Sequence, residues 1–509
     1  MTRHLSPLVI RADARQETGM GHVMRCLALA DAWCDLSGEV LFFSNVESPT
    51  LRARLLRSGY AIVEPGRTPQ ATLSELQARG LAGCWVAIDG YDFESEWQAM
   101  LGESGFRVLC IDDGARLKQY AAPVILASDP DASLVAYNAP SSSLILTGTH
   151  WRLLRKEFVR GSPHRSRAEL GAAILVVFGG SDRRNVARSV LDVLARCTTA
   201  QDRVRLVFGA LNPHRASICE ALATLPGQSE LVENVTDMAQ LYREADIAIS
   251  AAGTTAWEMA ACGLPAILVP VADNQLPAAR ALSAASAAVH LPIEALAGPR
   301  GLAETLAGLL QDRDKLARMS KQGPLVCDGG GAARVCRVLQ ALDDPAPSPA
   351  MQMRRATADD AEQIFRIAND TVVRANAFSA EPISLAAHLK WLATKLASPD
   401  SALYVLDLAG LVVALARYDR DGDAASIDIA VHAAFRAKGL GVELTRRTAE
   451  PACAALGVKV ARAVVFARNV TSQRCFLGAG WQQLGTRNMQ GIDCVEFETR
   501  FEQEKENDG

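Results

Sequence analysis

Short apolar runs alternate with helix-like segments through the first two thirds of the chain. Residues 173–178 form an unbroken apolar run that ends at Gly179-Gly180, which is typical of a strand buried on both faces of a parallel sheet. A comparable run at 8–10 precedes a helical stretch at 23–36. Because strands that alternate with helices build parallel sheets, the pattern predicts two successive α/β units with a cleft between them. Further strands are predicted at 40–43, 86–88, 108–111, 205–208, 246–250 and 265–271.

A proline-rich segment marks a boundary later in the chain. Residues 343–350 contain three prolines, which exclude both helix and ladder hydrogen bonding, so we predict a stiff linker there. The linker separates two α/β domains, predicted at 1–160 and 161–342, from a third domain at 351–509. The third block begins a new pattern of a helix followed by several strands, and it is long enough to form a core of its own.

Charge and cysteine usage exclude several classes of protein. Lysine and arginine number 53 against 57 aspartate and glutamate, a net charge of −4, so a nucleic-acid partner is not expected. The 12 cysteines include no Cys-x-x-Cys pair and the 8 histidines do not cluster near them, which favours reduced thiols in a cytoplasmic protein over disulfides or a zinc site. No apolar stretch suits a signal peptide or a membrane span. Composition leaves the oligomeric state open.

The turn after the first predicted strand combines two glycines with a histidine. Gly19 and Gly21 resemble the start of a dinucleotide fingerprint, but Met24 stands where a third glycine is needed, which excludes nicotinamide binding. The glycines would instead let a ligand approach the backbone at the N-terminus of the first helix. His22 has the chemistry to take a proton from water near neutral pH, and a packed or capping histidine is the alternative.

Two turns in the second block are candidate phosphate cradles. Each follows a predicted buried strand and precedes a helix, so backbone N–H groups and a helix N-terminus would point toward one ligand. A tight strand-to-helix turn without a ligand is the alternative for each. The two turns are Gly179-Gly180-Ser181 and Gly253-Thr254-Thr255.

Two polar groups follow the second cradle. Glu258 is predicted in the first turn of the helix that begins at Thr254, where a carboxylate either interacts with the helix dipole or accepts both ribose hydroxyls of a nucleotide. Asp273-Asn274-Gln275 comes directly after the next strand. There, Asp273 either caps a helix or belongs to a group of polar side chains that faces the sugar.

These segments resemble the UDP-sugar hydrolase family of pseudaminic-acid biosynthesis over roughly residues 5–340. The resemblance is carried by Gly19-x-Gly21-His22-Val23-Met24-Arg25-Cys26, Ile249-Ser250-Ala251-Ala252-Gly253-Thr254-Thr255-Ala256-Trp257-Glu258, Asp273-Asn274-Gln275 and, at the join between the domains, Leu153-Leu154-Arg155-Lys156-Glu157-Phe158. One departure bears on the exact sugar. The family carries a Cys-Asp motif and an Asp-Gln-Asn tripeptide where this chain reads Ala127-Ser128-Asp129-Pro130.

The resemblance implies a GT-B fold, which is a pair of Rossmann-like domains, with the nucleotide bound mainly by the second. It implies hydrolysis of UDP-2,4-diacetamido-2,4,6-trideoxy-β-L-altropyranose to UDP and the free sugar, with inversion at the anomeric carbon and no metal. His22 matches the family's catalytic histidine, and Tyr91 matches a tyrosine on the substrate side. Together with the two cradles, the expected contacts to the UDP-sugar are Gly21, Tyr91, Gly179, Gly180, Ser181, Gly253, Thr254, Thr255, Glu258 and Asn274.

The third block carries another phosphate-type turn. Arg436-x-x-Gly439-x-Gly441 follows an apolar strand that ends at Val431. A turn of this form exposes consecutive N–H groups to a pyrophosphate, and a positive φ at Gly441 would suit that role. An ordinary glycine-bearing loop before a helix is the alternative.

A second element in this block is Asn469-x-x-Ser472-x-x-x-Phe476. With the turn, it resembles the GNAT acetyltransferases over most of 351–509, which implies an α+β GNAT fold and acetyl-CoA as co-substrate. Many members have a tyrosine, the general acid for the leaving thiolate, where this chain has Phe476. The implied acetyl-CoA contacts are Val431, Arg436, Gly439, Gly441, Asn469 and Ser472.

The segment His388-Leu389-Lys390-Trp391 resembles more narrowly the amino-sugar N-acetyltransferase of the same pathway. The combined interpretation is a fusion in which the GNAT domain acetylates the 4-amino group of a UDP-amino sugar and the GT-B unit hydrolyses the product. The free sugar would feed a nine-carbon, sialic-acid-like sugar of the kind attached to flagellin. Three alternatives stay open: glycosyl transfer to a sugar or lipid, a non-catalytic acetyl-CoA-binding or assembly module, and peptide N-acetylation.

Overall fold

The computed structural model describes residues 5–15, 20–132, 137–140, 142–159, 171–180, 182–209, 212–233, 235, 237–296 and 301–501. The chain forms two compact units, Met1–Asn138 with Ile145–Val335 and Ala139–Leu144 with Cys336–Gly509. The division falls shortly before the predicted linker, and the predicted domain limits stay predictions. Within the described ranges, no helix is both long and apolar enough to cross a membrane.

The first sheet has the strand order β3-β2-β1-β4-β5-β6-β7, and its strands from β3 to β6 pair in parallel. Its strands are β1 (Leu8–Ala12), β2 (Val40–Phe43), β3 (Ala61–Val63), β4 (Trp85–Asp89), β5 (Arg107–Ile111), β6 (Val124–Ala127) and β7 (Leu144–Thr147). Its helices are α1 (Gly21–Asp35), α2 (Pro49–Arg57), α3 (Pro69–Ala78) and α4 (Ser95–Glu103).

The second sheet is parallel throughout and has the order β10-β9-β8-β11-β12-β13. Its strands are β8 (Ala173–Val177), β9 (Arg203–Val207), β10 (Gln228–Val232), β11 (Ile247–Ser250), β12 (Ala266–Leu268) and β13 (Ala288–His290). The helices are α5 (Val186–Cys197), α6 (Arg215–Ala223), α7 (Met238–Glu244), α8 (Thr254–Ala261), α9 (Leu276–Ala284), α10 (Leu302–Gln311) and α11 (Arg313–Val326). The next helix, α12 (Gly331–Asp343), contains the boundary between the two units.

The apolar runs become strands because both faces of these sheets are covered. In β8, Ile174 and Val176 belong to the core on one face, whereas Leu175 and Val177 belong to the core on the other. All eight predicted strands are confirmed. Edge strand β10 was not predicted because its residues are mostly exposed, so it carries no apolar run.

Both sheets have the strand order of a doubly wound fold. In such a sheet, successive strands are added first on one side of the central strand and then, after one reversal, on its other side. The reversal lies between β1 and β4 in the first sheet and between β8 and β11 in the second. In such sheets the loops that follow the two central strands diverge and leave a crevice, where ligands bind. The predicted GT-B pair of Rossmann-like domains is confirmed.

The second unit contains the sheet β14-β15-β16-β17-β18-β20-β19, whose neighbours are antiparallel except for the β17–β18 pair. Its strands are β14 (Met351–Arg355), β15 (Ser401–Leu408), β16 (Leu411–Asp421), β17 (Ala424–Val431), β18 (Val460–Phe466), β19 (Gln482–Met489) and β20 (Ile492–Arg500). Its helices are α13 (Ala361–Ala368), α14 (Thr371–Ala375), α15 (Leu385–Ala397), α16 (Leu440–Leu456) and α17 (Val470–Gly478).

The two parallel strands of this sheet separate soon after they begin. Within the described strands, β17 and β18 pair only where 424–426 lies beside 460–462. Beyond that point β17 stays paired with β16 as far as Val431, and β18 stays paired with β20 as far as Phe466. The sheet therefore opens into a V whose two inner edges are not paired with each other. This is the GNAT-type α+β domain that the sequence predicts.

Candidate active sites

His22 lies at the N-terminal end of α1, beside the last residue of β4. Its Nδ1 is 2.7 Å from Oδ1 of Asp89, and 8% of the histidine is exposed. A carboxylate can only accept a hydrogen bond, so the contact with Asp89 places a proton on Nδ1, and in a neutral ring the lone pair is then on Nε2. Nη2 of Arg25 also lies near Nδ1, at the longer distance of 3.3 Å. His22 follows β1 in the chain and Asp89 ends β4. Because β1 and β4 are neighbours in the sheet, the two residues meet although they are 67 positions apart.

Arg25 holds Asp89 in its ionised form. It follows His22 by three residues on α1 and donates to both carboxylate oxygens of Asp89, each at 2.6 Å. Its remaining amino group binds Asp113 at 2.8 Å. Burial opposes ionisation of Asp89, but the charge and hydrogen bonds of Arg25, together with His22, outweigh it and lower the pKa of Asp89 to about 2.

Tyr91 and Gly21 lie at the same place as His22. The Tyr91 ring meets the imidazole edge-to-face at 5.1 Å between centroids and is 53% exposed. Arg116 fixes this turn by donating to the carbonyl oxygens of Gly90 and Tyr91 at 3.2 and 3.0 Å. A Cβ at Gly21 would meet nothing within 4 Å, and no side chain caps α1. The structure thus gathers three predicted residues; Gly19 lies outside the described residues.

In the second sheet, the N-terminus of α8 is open to a ligand. Its N-cap Gly253 offers no side-chain hydrogen bond, and Thr254 and Thr255 begin the helix. Gln275 ties this turn to the next one, because its Oε1 accepts from the backbone N–H groups of Ala252 and Val271 at 3.3 and 3.0 Å. These turns follow β11 and β12, which are adjacent strands.

Two predicted polar residues adjoin Gln275. Asn274 is exposed, and Asp273 begins a 3-10 helix in which no side chain caps the N-terminus. The possibility that Asp273 caps a helix is therefore wrong, whereas Asn274 is free to face a ligand.

The turn after β8 differs from the prediction. Asp182 accepts from the backbone N–H groups of Val186 and Ala187, both at 2.9 Å, so it occupies the N-terminus of α5 that was predicted to receive a phosphate. Gly179 has a φ of 77°, and Cβ atoms at Gly179 and Gly180 would meet open space. The turn leaves room for a ligand but provides no free helix N-terminus. Ser181 lies outside the described residues.

Glu258 is the fifth residue of α8. The sequence analysis predicted it in the first turn of this helix, and that prediction is wrong. Only 8% of it is exposed; Tyr242 Oη donates to its Oε2 at 3.0 Å, and Arg155 lies 3.6 Å from its Oε1. Burial raises the pKa of Glu258 against the opposing charge of Arg155 and the hydrogen bond from Tyr242. Leu154 and Phe158, which flank Arg155, belong to the core of the second sheet, so the predicted join packs on that domain.

The V between β17 and β18 leads into a cavity of about 1000 Å³. Gly439 has a φ of 76° and is the N-cap of α16, where no side chain occupies the helix N-terminus. Residues from the turn, from both separated strands and from α17 face this space. All six residues predicted to contact acetyl-CoA line it: Val431, Arg436, Gly439, Gly441, Asn469 and Ser472.

Two of these residues differ from expectation in detail. Gly441 lies inside α16 without a positive φ, so a left-handed conformation plays no part in its role. A Cβ at Gly441 would lie 2.9 Å from Sγ of Cys475 on α17, so the glycine permits close packing of the two helices. Arg436 forms an ion pair with Asp370 and donates to the carbonyl of Val431 at 3.3 Å, so its charge is already compensated.

Helix α17 forms one end of the cavity. A side-chain cap at its N-terminus and the packing of Phe476 hold this helix in place. Asn469 Oδ1 accepts from the backbone N–H of Ser472 at 3.1 Å, which caps the helix. Phe476 is 2% exposed and packs against the rings of Trp481 and Phe497, with centroids 5.0 and 5.6 Å away. The residue at this position therefore stabilises the core and has no proton to donate.

The sequence analysis missed Asp89 and Arg25 as members of these sites, and it named Gln275 only as one of the polar groups that could face the sugar. A signal existed for Asp89, because it ends a buried apolar strand directly before the Gly90-Tyr91 turn. Another existed for Arg25, which lies on the same helical face as His22. No cluster of three or more metal-ligating side chains is found in the part of the chain that the structure describes.

Two families match the chain. Residues 174–326 match the glycosyltransferase family 28 C-terminal domain, and residues 351–482 match the acetyltransferase (GNAT) domain. The chain is 25% identical over 335 residues to the spore coat polysaccharide biosynthesis protein SpsG of Bacillus subtilis, which covers 65% of this chain and 97% of that protein.

A second relative is the UDP-N-acetylglucosamine--N-acetylmuramyl-(pentapeptide) pyrophosphoryl-undecaprenol N-acetylglucosamine transferase of Chromobacterium violaceum. It is 30% identical over 287 residues, which is 52% of this chain and 78% of that enzyme. Among solved structures, the Salmonella typhimurium protein yncA with its cofactor acetyl-CoA is 22% identical. That match covers 31% of this chain and 96% of yncA, with a TM-score of 0.28.

The fold, the sites and the matches define an enzyme that joins a GT-B sugar-nucleotide unit to a GNAT acetyltransferase domain. The chain belongs to the same family as the Chromobacterium transferase, carries the glycosyltransferase family 28 C-terminal domain at 174–326, and has its GNAT domain after that part. The narrower identification as a hydrolase of the pseudaminic-acid pathway stays a proposal.

Asp89→Asn is expected to destabilise the first unit by roughly 3–5 kcal/mol at neutral pH, because it leaves the buried charge of Arg25 without its main partner. The pKa of Asp89 in the folded protein, about 2, lies below the ordinary 3.8. The ionised carboxylate therefore stabilises the fold fully above the ordinary pKa, and this contribution is lost as the pH falls from about 4 toward 2. Urea unfolding of wild type and variant at several pH values should show a difference that shrinks over this interval.

Asp113→Asn is the matched control, because Asp113 binds the same arginine but its side chain is 32% exposed. Its destabilisation should stay at roughly 1 kcal/mol or below. Equal effects of the two variants would contradict the central role of Asp89.

Proposed function

We propose that the chain is a bifunctional sugar-nucleotide enzyme. Its GT-B unit hydrolyses UDP-2,4-diacetamido-2,4,6-trideoxy-β-L-altropyranose to UDP and the free sugar. Its GNAT domain acetylates the 4-amino group of the precursor UDP-amino sugar with acetyl-CoA. The observation that carries the hydrolase half is the His22–Asp89 pair, in which an ionised carboxylate 2.7 Å from Nδ1 leaves Nε2 as a proton acceptor.

In the hydrolysis, Nε2 of His22 takes a proton from water while the water oxygen attacks the anomeric carbon. The bond from that carbon to the UDP oxygen breaks with its electron pair on the diphosphate, and attack from the opposite face inverts the configuration. Asp89 stabilises the imidazolium without taking up the proton itself. Arg25 keeps Asp89 ionised throughout, and the imidazolium then releases its proton to solvent.

We assign the nucleotide to the turns of the second sheet. The N–H groups of Thr254 and Thr255 at the open N-terminus of α8 face the diphosphate, where the helix dipole stabilises the charge that develops on the leaving group. Glu258 accepts the ribose hydroxyls, Asn274 contacts the sugar, and Gly179 leaves room for the ligand.

In the GNAT half, the open N-terminus of α16 at Gly439 receives the pyrophosphate of acetyl-CoA. Because Arg436 is already paired with Asp370, backbone N–H groups carry this interaction. The pantetheine arm lies along the free inner edge of β17 beyond Ser426, where its amides replace the missing strand partner.

The chemistry of the two reactions connects them in one order. Acetylation creates the 4-acetamido group that the hydrolysis substrate carries, so the product of the GNAT domain is the substrate of the GT-B unit. We place the chain in the cytoplasm, which agrees with its 12 free thiols. The sugar released would supply synthesis of a nine-carbon, sialic-acid-like sugar.

One experiment tests the whole proposal. The purified chain is incubated with UDP-2-acetamido-4-amino-2,4,6-trideoxy-β-L-altropyranose and acetyl-CoA, and the products are followed by NMR. We expect the 4-acetamido UDP-sugar first, and then UDP with a free sugar of inverted anomeric configuration. Failure to acetylate this amine contradicts the GNAT half, and failure to release UDP contradicts the hydrolase half.

Glycosyl transfer is the second candidate for the GT-B unit, since the Chromobacterium relative is a transferase. UDP release without any added acceptor separates the two, because only hydrolysis proceeds with water alone. For the GNAT domain, a peptide acceptor or a non-catalytic binding role are the rivals. Comparing acetyl-CoA consumption with the amino sugar, with an alanine-initiated peptide and with no acceptor distinguishes them.

His22→Asn should lower the rate of UDP release by roughly 10²–10⁴ while leaving the affinity for UDP nearly unchanged. Asparagine places an amide near the position of Nδ1, so the hydrogen bond to Asp89 is kept and only the base at Nε2 is lost. Single-turnover hydrolysis and calorimetry with UDP measure the two quantities. Hydrolysis close to the wild-type rate would refute the role of His22.

Glu258→Ala should weaken UDP binding by roughly 1–3 kcal/mol, which is about 5- to 150-fold in Kd, because the ribose hydroxyls lose their acceptor. Calorimetry on folded protein gives the value. Tyr242→Phe is the control, since it removes the internal hydrogen bond to Glu258 but keeps the carboxylate. If UDP affinity is the same in Glu258→Ala and wild type, Glu258 has a structural role only.

Gly441→Val should abolish acetylation and leave hydrolysis of the pre-acetylated UDP-sugar unchanged. The added side chain meets Sγ of Cys475, so α17 must move away from α16 and the acetyl-CoA cavity is distorted. Acetyl-CoA consumption and UDP release are measured on the same variant. The control is the double variant Gly441→Ala with Cys475→Ala, which removes the close contact and should therefore acetylate, unlike Gly441→Val. A parallel loss of both activities in Gly441→Val would show that the two units are coupled.

A further inference from the structure

Three side chains that line the GNAT cavity titrate below the pH range of arginine. Among the described lining residues, they are His388, Asp428 and Cys475. The position of the usual tyrosine is filled by Phe476, which has no proton to exchange. Acetyl transfer to an ammonium group nevertheless requires a proton acceptor, so one of the three must be considered for that role.

Cys475 and Asp428 are unsuited to accept a proton. Burial raises the pKa of the Cys475 thiol to about 11, so it stays protonated at neutral pH. It also holds that proton more tightly than an ordinary thiol of pKa about 8.5, which makes it a poor donor to the CoA thiolate. Asp428 forms an ion pair with Arg417, its partner on β16, and its side chain is 70% exposed. A paired and solvated carboxylate is a weak base.

His388, on α15, lines the cavity and is 1% exposed. Its Nε2 lies 2.8 Å from the carbonyl oxygen of Ala361, which can only accept, so Nε2 carries the proton and Nδ1 holds a lone pair. The ring packs against Phe365 and Trp391, with centroids 5.4 and 5.5 Å away, which fixes its orientation. Burial lowers the pKa of His388, so the imidazole is neutral at pH 7.

We propose that His388 is the catalytic base of acetyl transfer and that its Nδ1 accepts the proton of the acceptor amine. This assignment rests on the acetyltransferase activity proposed above. It explains how this chain transfers an acetyl group without the tyrosine: one imidazole both removes a proton and returns it.

The step balances as follows. Nδ1 takes a proton from the ammonium form of the acceptor, and the freed lone pair attacks the thioester carbonyl, so the C–N bond forms. The C–S bond then breaks with its electron pair on sulfur. The imidazolium gives its proton to the thiolate, which yields CoA-SH, and the second proton of the former ammonium leaves to solvent. The products are the acetamide, CoA-SH and one proton.

His388→Gln tests the proposal because it separates the base from the packing role. The glutamine amide reaches the position of Nε2 and donates to the Ala361 carbonyl, but no proton acceptor remains. At about pH 7 we expect kcat to fall roughly 10²–10⁴-fold, while the KM for acetyl-CoA and the Tm stay near wild type.

The pH dependence separates catalysis from structure. At about pH 9.5 more of the amine arrives deprotonated, so the defect of His388→Gln should shrink markedly. The other charged or titratable side chains on this wall are Asp428, Cys475 and the arginines Arg374, Arg417, Arg436, Arg468 and Arg474. Ordinary carboxylates and guanidinium groups do not change charge between about pH 7 and pH 9.5, and burial raises the pKa of the Cys475 thiol to about 11. A purely structural role would lower kcat equally at both pH values, and that result would overturn the proposal.

Asp428→Asn is the control for the competing base and should keep kcat within about threefold of wild type. If it, and not His388→Gln, produces the pH-dependent loss, Asp428 is the base and the proposal is wrong. The assay uses the UDP-4-amino sugar and an alanine-initiated peptide in parallel. If only the peptide is acetylated, the proposed substrate is wrong while the peptide assay still decides the role of His388. If neither amine is acetylated, both proposals fail.

Discussion

The burial of both faces of each parallel sheet is the constraint on which the GT-B unit depends. A strand such as β8 has apolar side chains pointing into two separate cores, so no side chain of its central part is available for chemistry. Reactive groups are therefore placed in the turns at the carboxyl ends of the strands. Since the strand order reverses beside β1 and again beside β8, the turns on the two sides of each reversal enclose a crevice. His22 and Asp89 meet at one, and Gly179 and Gly253 adjoin the other.

One local feature recurs beside all three sheets, which is a helix N-terminus that no side chain caps. The first residues of α1, α8 and α16 have free backbone N–H groups, and glycine stands at or beside each start. The helix α5 shows the contrast, because Asp182 binds its first N–H groups and closes the site to a phosphate. Whether a glycine turn can bind an anion therefore depends on where one neighbouring carboxylate points.

Each candidate site also contains a buried polar group whose state is set by a distant residue. Arg25 keeps Asp89 ionised, and Asp89 in turn selects the tautomer of His22. The Ala361 carbonyl selects the tautomer of His388, because it accepts a hydrogen bond from Nε2. Both imidazoles are thereby left with one free nitrogen, although one is oriented by a charge and the other by a neutral carbonyl. A charged partner stabilises an imidazolium, whereas a carbonyl in a buried setting favours the neutral ring.

By itself, the sequence determined the fold class and the positions of eight strands, because apolar runs and glycine turns report on local geometry and on burial at the same residue. The glycine turn at 436–441, together with the resemblance to GNAT acetyltransferases, identified six of the residues that line the GNAT cavity. Edge strands such as β10 were missed because an exposed strand carries no apolar signal.

Only the tertiary structure decided which of these groups are paired and which are free. Asp89 and His22 are 67 residues apart, and Arg436 and Asp370 are 66 apart, so no local pattern links them. Likewise, the contact of Gly441 with Cys475 depends on how two helices pack. Periodicity is a property of neighbouring residues, whereas charge pairing and close packing depend on distances that exist only after the strands have found their order.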